Sequence, residues 1–86
     1  MLLHTFNTPE ALIQHRQRIN IEDKVLFIED GVYSSNQPLD FQCKRVMALA
    51  EDCQLRGIVP AESVQLIDYN DWVQLCSEVD NHLSWY

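Results

Sequence analysis

Four short apolar runs punctuate the chain, separated by polar segments, several with apolar residues at helical spacing. Leu2–Phe6 (LLHTF), Lys24–Ile28 (KVLFI), Arg45–Ala50 (RVMALA) and Val64–Ile67 (VQLI) are nearly continuous in apolar residues. Runs of that kind, rather than strict alternation, are what strands covered on both faces look like. After the first run, Pro9–Ile19 reads as a helix: Thr8 is its N-cap, Pro9 takes the first helical position, and Leu12, Ile13 and Ile19 share one side. Glu51–Arg56 reads as a short helix stopped by Gly57, a residue suited to a C-terminal cap. Asp68–Val79 is the last helix, with Asp68 closing the fourth strand and capping it. Asp71, three residues on, gives a capping-box-like pair, although the box normally uses Glu or Gln. Strands alternating with helices predict an α/β fold, a small single-layer and mostly parallel sheet with helices on both faces. No repeat, linker or low-complexity tract interrupts it, so residues 1–86 are expected to form one domain.

Composition narrows the function classes. A chain of 86 residues buries only ~60–65% of its unfolded surface, so the core is thin. Hydrophobic content of 47% against 22% charged residues is that of a globular protein. No apolar run approaches the ~18 residues of a membrane span, and MLLHTFNTPE has neither a basic n-region nor a cleavage site. A soluble, cytoplasmic protein is the expectation. Thirteen acids against six bases, a formal charge of -7, repel phosphate backbones and argue against direct nucleic-acid binding. With two glycines, neither G-x-G-x-x-G nor a Walker loop can be built. Cys43, Cys53 and Cys76 form no C-x-x-C pair, and His4, His15 and His82 are scattered, so neither a disulfide framework nor a zinc site is expected. No cofactor is expected either.

Acids gather where strands end: Glu29 and Asp30, Glu51 and Asp52, then Asp68. In a parallel sheet these meet at the carboxyl edge, the usual ligand side of such folds, where carboxylates can hold magnesium. Capping of helix N-termini is the commoner use of such residues. Asp30-Gly31 is a turn signal, since Gly accepts positive φ and lets another backbone approach. Cys43 lies beside Lys44 and Arg45, whose charge would favour the thiolate, and is the weak candidate for a nucleophile. Cys53 and Cys76 read as small buried hydrophobes. His4, inside a strand, reads as a structural imidazole, while His15 and His82 read as surface residues. On the last helix Tyr69, Trp72, Val73 and Cys76 share a face. Val73 and Cys76 are assigned to the core. Tyr69 and Trp72 are candidates for a partner interface, where aromatics are enriched. Trp85 and Tyr86 join them, because apolar aromatics at a position that usually frays suggest docking.

Taken in order, LLHTFN, VLFIEDGVY, EDCQLRG with its Gly, and IDYNDWVQLC followed by SWY resemble the DsrH/TusB family over nearly the whole chain. The resemblance implies a DsrE/DsrH-like fold. It implies a subunit of a sulfur-relay complex, a dimer of heterotrimers with TusC/DsrF-like and TusD/DsrE-like subunits. In the TusBCD form persulfide sulfur travels to the 2-thiouridine of the tRNA wobble position; the DsrEFH form serves sulfur oxidation. DsrH-type members resemble one another in a first-helix cysteine, which EALIQHRQRI lacks; that departure favours the TusB type, with the sulfur-carrying cysteine on another subunit. Cys53 stands where the family usually has an aliphatic residue, and Ser34–Gln42 is short for the family. Three readings follow: a non-catalytic structural subunit, a sulfur carrier using Cys43, and a free-standing domain binding a small ligand or metal at the carboxyl edge.

Overall fold

The computed structural model describes residues 2–86. Its strands are β1 (Leu2–Phe6), β2 (Lys24–Phe27), β3 (Arg45–Leu49), β4 (Gln65–Ile67) and β5 (Asn81–Trp85). Helices α1 (Pro9–His15), α2 (Ala50–Arg56) and α3 (Tyr69–Glu78) join them, with 3-10 turns at Arg16–Arg18 and Glu29–Ser34. All pairings are parallel and the strand order is β4-β3-β2-β1-β5. The sheet therefore grows in one direction from β1 to β4, and α3 then carries the chain back to β1's other side.

Local chemistry sets the element ends. Thr8 Oγ1 accepts the Ala11 N–H at 3.1 Å and Pro9 opens α1. Gly57, at φ +64°, closes α2 in the left-handed conformation that a Cβ disfavours. Asp68 and Asp71 form a complete capping box: Asp71 N–H donates to Asp68 Oδ1 at 2.7 Å and Asp68 N–H to Asp71 Oδ2 at 3.2 Å.

The alternation of side chains along the strands divides the core in two. Phe6, Val25, Phe27 and Ala48 face Ala11 and Leu12 of α1, Val32 of the second 3-10 turn and Cys53 of α2. Leu3, Leu26, Met47 and Ile67 face the opposite way, onto Leu75 of α3.

Three features depart from the sequence reading. The first helix ends at His15 and tightens into a 3-10 turn, short of Ile19. Glu29–Ser34 forms a 3-10 turn whose Gly31 does not take positive φ; Glu29 does, at 49°. Gly31 is needed for space, because a Cβ there would lie 2.1 Å from the Phe6 carbonyl oxygen. The third is β5, a fifth strand where four were expected: Leu2 to Phe6 pair in register with Asn81 to Trp85.

Candidate partner interface

The apolar residues of α3 span an arc of roughly 160° at ~100° per residue, from Leu75 through Trp72, Cys76 and Tyr69 to Val73. The sheet fills only part of it. Leu75 is 3% exposed and belongs to the core, with Trp72, Cys76 and Val79 partly buried against it. Tyr69 and Val73, on the overhanging flank, remain 61% and 56% exposed. Val73 was expected in the core and is not, because the helix rests on Leu75, one side further round. Tyr69 and Trp72 meet edge to face at 5.8 Å. With Val73 and Cys76 they line a shallow groove of about 250 Å³. Asp71 and Glu78 lie on the other flank, beside Arg45 and Gln65 of the β3–β4 side.

Three of the carboxyl-edge acids, Asp30, Asp52 and Asp68, are engaged within the chain. Asp52 Oδ2 accepts the N–H of Glu29 at 2.7 Å, which helps hold that residue in its left-handed conformation. Arg56 Nε donates to Asp30 at 2.9 Å and its guanidinium reaches Asp52 at 3.8 Å; the Asp30 hydrogen bond raises the Arg56 pKa further. Neither Glu51 nor Asp52 caps α2 through its side chain. Among the described residues no group of three or more His, Cys, Asp or Glu is arranged to hold a metal ion.

Cys43 is half-buried, and its thiol donates to the Arg45 carbonyl at 3.4 Å. Burial pushes its pKa up, and the charge of Asp23 adds to that. This corrects the expectation that Lys44 and Arg45 favour the thiolate: they flank Cys43 in sequence, but desolvation and a nearby carboxylate prevail. Cys43 is one of the residues lining a wide groove of about 770 Å³, with Phe41, Lys44 and Arg45. Cys53 is buried in the first core cluster, and burial raises its pKa too.

Trp85 and Tyr86 part company. Tyr86 is exposed. Trp85 packs on the first core cluster and stacks on His15 at 4.2 Å between ring centroids, with the Arg18 guanidinium 5.5 Å over its ring. Its Nε1–H donates to Nδ1 of His4 at 3.0 Å. His4 is fully buried, and its Nε2 lies 2.8 Å from Asp23 Oδ2. Asp23 also accepts the backbone N–H groups of Leu2 and Asn20, each at 3.0 Å. Burial alone would raise the Asp23 carboxyl, but these hydrogen bonds outweigh it and hold the pKa below the usual carboxylate value. His15, expected at the surface, is thus half-buried beneath Trp85. Sequence gave a signal for His4, an imidazole within an apolar strand, but none for a contact 81 positions away.

A family model described as DsrH-like protein matches residues 7–82. Among solved structures, protein Tm0979 of Thermotoga maritima, determined by solution NMR, is similar with a TM-score of 0.71 and 26% identity, over 91% of this chain and 93% of that one. The ychN protein of E. coli shares the fold with a TM-score of 0.66 and 12% identity, over 96% of each chain. No curated protein sequence matches.

Proposed function

The chain belongs to the DsrH-like family, and from that premise we propose that it is a non-catalytic structural subunit of a sulfurtransferase complex. Its partners are TusC/DsrF-like and TusD/DsrE-like chains, and the persulfide sulfur they relay goes to the 2-thiouridine of the tRNA wobble position. The observation that carries the reading is the overhanging apolar flank of α3. Tyr69 and Val73 stand in water beside Trp72 and Cys76, as an interface residue does before its partner arrives. Charge favours a different chain there over a second copy. Residues 57–86 hold five carboxylates (Glu62, Asp68, Asp71, Glu78 and Asp80) and no Lys or Arg, so two copies meeting through α3 would repel. The fitting partner presents an apolar patch with Lys or Arg around it.

In this role the chain attacks nothing. It covers its partners' surface and holds their cysteine loops in place, and misplacement of a reacting group by even ~1 Å is enough to slow chemistry a hundredfold. The absence of a cysteine from Pro9–His15 supports placing the sulfur on another subunit. A second reading, in which Cys43 carries the sulfur, draws on the groove that this residue lines. Native mass and the intact mass of each chain, taken on the complex purified from source cells, separate the two. A heterohexamer with extra sulfur on a partner and none on this chain is the expected outcome; extra sulfur on Cys43, or a bare monomer, overturns it. Cys43→Ser is expected to leave sulfur transfer by the reconstituted complex unchanged.

A further inference from the structure

Trp85 and His4 meet through a hydrogen bond that only one protonation state of the imidazole permits. From this we propose that β5 is a proton-operated latch: uptake of a second proton by His4 breaks the bond to Trp85 and loosens β5 from β1. The inference concerns the chain's own conformation and goes beyond the structural-subunit reading.

The argument is one of donors and acceptors. An indole N–H is a donor only, so His4 Nδ1, 3.0 Å from Trp85 Nε1, must accept. The ring's one proton then sits on Nε2 and is donated to Asp23 Oδ2 at 2.8 Å. Asp23 accepts that proton in either charge state of the ring. A second proton can add only at Nδ1, where it faces the indole proton, donor against donor. His4 is fully buried, so water cannot step between them without β5 moving.

The surroundings define what is coupled. From the segment before β2 comes Asp23, which takes the Nε2 proton of His4 and whose charge also reaches the Cys43 thiol. Val25 of β2 and Leu83 of β5 flank His4 in register and carry no charge. His82 neighbours Leu83 on β5, but alternation points it to the other sheet face. His15 at the end of α1 and Arg18 of the following 3-10 turn lie against the indole of Trp85. Strand β5 has little else to hold it beyond its ladder with β1: Asn81, His82, Leu83 and Ser84 are exposed, and Trp85 alone reaches a core. Losing the indole bond therefore acts on the strand's main side-chain anchor.

The test is nitrogen NMR of the His4 ring and the Trp85 indole on the full chain, followed from pH 8 to pH 5, the range in which ordinary imidazoles titrate. The Nε2–H form of His4 is expected at high pH. As His4 gains its second proton, the indole N–H resonance moves with the same midpoint and its exchange with water quickens by roughly fivefold or more. By reciprocity, Trp85→Phe, which keeps a ring on His15 and deletes the donor, raises the His4 midpoint by roughly 0.5–1 pH unit. His15→Gln leaves the coupling in place. The proposal is overturned if His4 charges while the indole stays unmoved, if His4 keeps a single proton until the chain unfolds, or if the coupling vanishes in His15→Gln. Should Trp85→Phe fail to fold, the coincidence of the two midpoints in the unaltered chain decides by itself.

Discussion

The two faces of the sheet are built to different standards. One carries α1, α2 and the Glu29–Ser34 turn, and its cluster of Phe6, Val25, Phe27, Val32 and Cys53 is sealed. The other carries α3 alone, which closes over Leu3, Leu26, Met47 and Ile67 but leaves its own Tyr69 and Val73 outside. Both faces belong to strands with the same near-continuous apolar character. The difference therefore lies in how much helix each face receives, and it teaches that a strand pattern predicting cover on both sides does not say that one chain supplies all of it. The thinly covered face is where the proposed partner would bind.

Four substitutions break or sharpen that contrast, from the largest effect to the smallest. Gly31→Ala strikes the sealed face where it is tightest: the new Cβ meets backbone, the Phe6 carbonyl, at 2.1 Å. A loss of roughly 3 kcal/mol or more is expected in urea unfolding, and a loss below 1 kcal/mol would show that the turn relaxes. Leu75→Ala removes the one buried side chain of α3 and is expected to cost about 2–4 kcal/mol by the same measurement. A much smaller cost would mean that α3 adds little to the isolated fold.

Asp23→Asn tests the amino edge of the sheet. The native Asp23 carboxyl titrates below its unfolded value, so its contribution is present above ~pH 4 and is lost as pH falls through the native pKa. At pH 7 the variant should be less stable by roughly 1–3 kcal/mol, with the gap narrowing toward pH 3. A gap that stays constant with pH would dismiss the charged contacts as its source. The smallest effect on the isolated chain belongs to Val73→Ser, within ~0.5 kcal/mol because the side chain is already in water. The same change is expected to weaken assembly with the partner chains at least tenfold in a binding titration, and unchanged affinity would remove the α3 flank from the interface.

Much of this architecture was legible in the sequence, and the parts that were not share a cause. Thr8, Gly57, Asp68 and Asp71 announced element ends because capping is local chemistry, decided within three or four residues. The first four strands were legible because burial on both faces writes a continuous apolar run. Strand β5 was not, because NHLSW is an edge strand with exposed residues at four of its five positions. It offers only Leu83 and Trp85 as signal. Trp85 reads as a free aromatic until its partners, 70 and 81 positions back at His15 and His4, are in place. The same holds for Cys43, whose two basic neighbours in sequence matter less than burial and Asp23. On α3 the width of the apolar arc was visible, but which part of it the sheet takes depends on how the helix lies across the strands. That assigned Leu75 to the core and freed Val73.

The strand order β4-β3-β2-β1-β5 sets a timetable for synthesis. Strand β1 is flanked on one side by β5, with Phe6 paired to Trp85, 79 positions apart. Strands β1 to β4 can zip together in the order they leave the ribosome. One side of β1 must wait with open backbone until residue 85 has emerged. Contacts between sequence-distant segments form slowly, and unpaired edges recruit other chains meanwhile. A chain in which β5 has not yet paired would therefore carry a ready pairing edge at β1, and the interval of risk is the time between the making of β1 and the docking of β5.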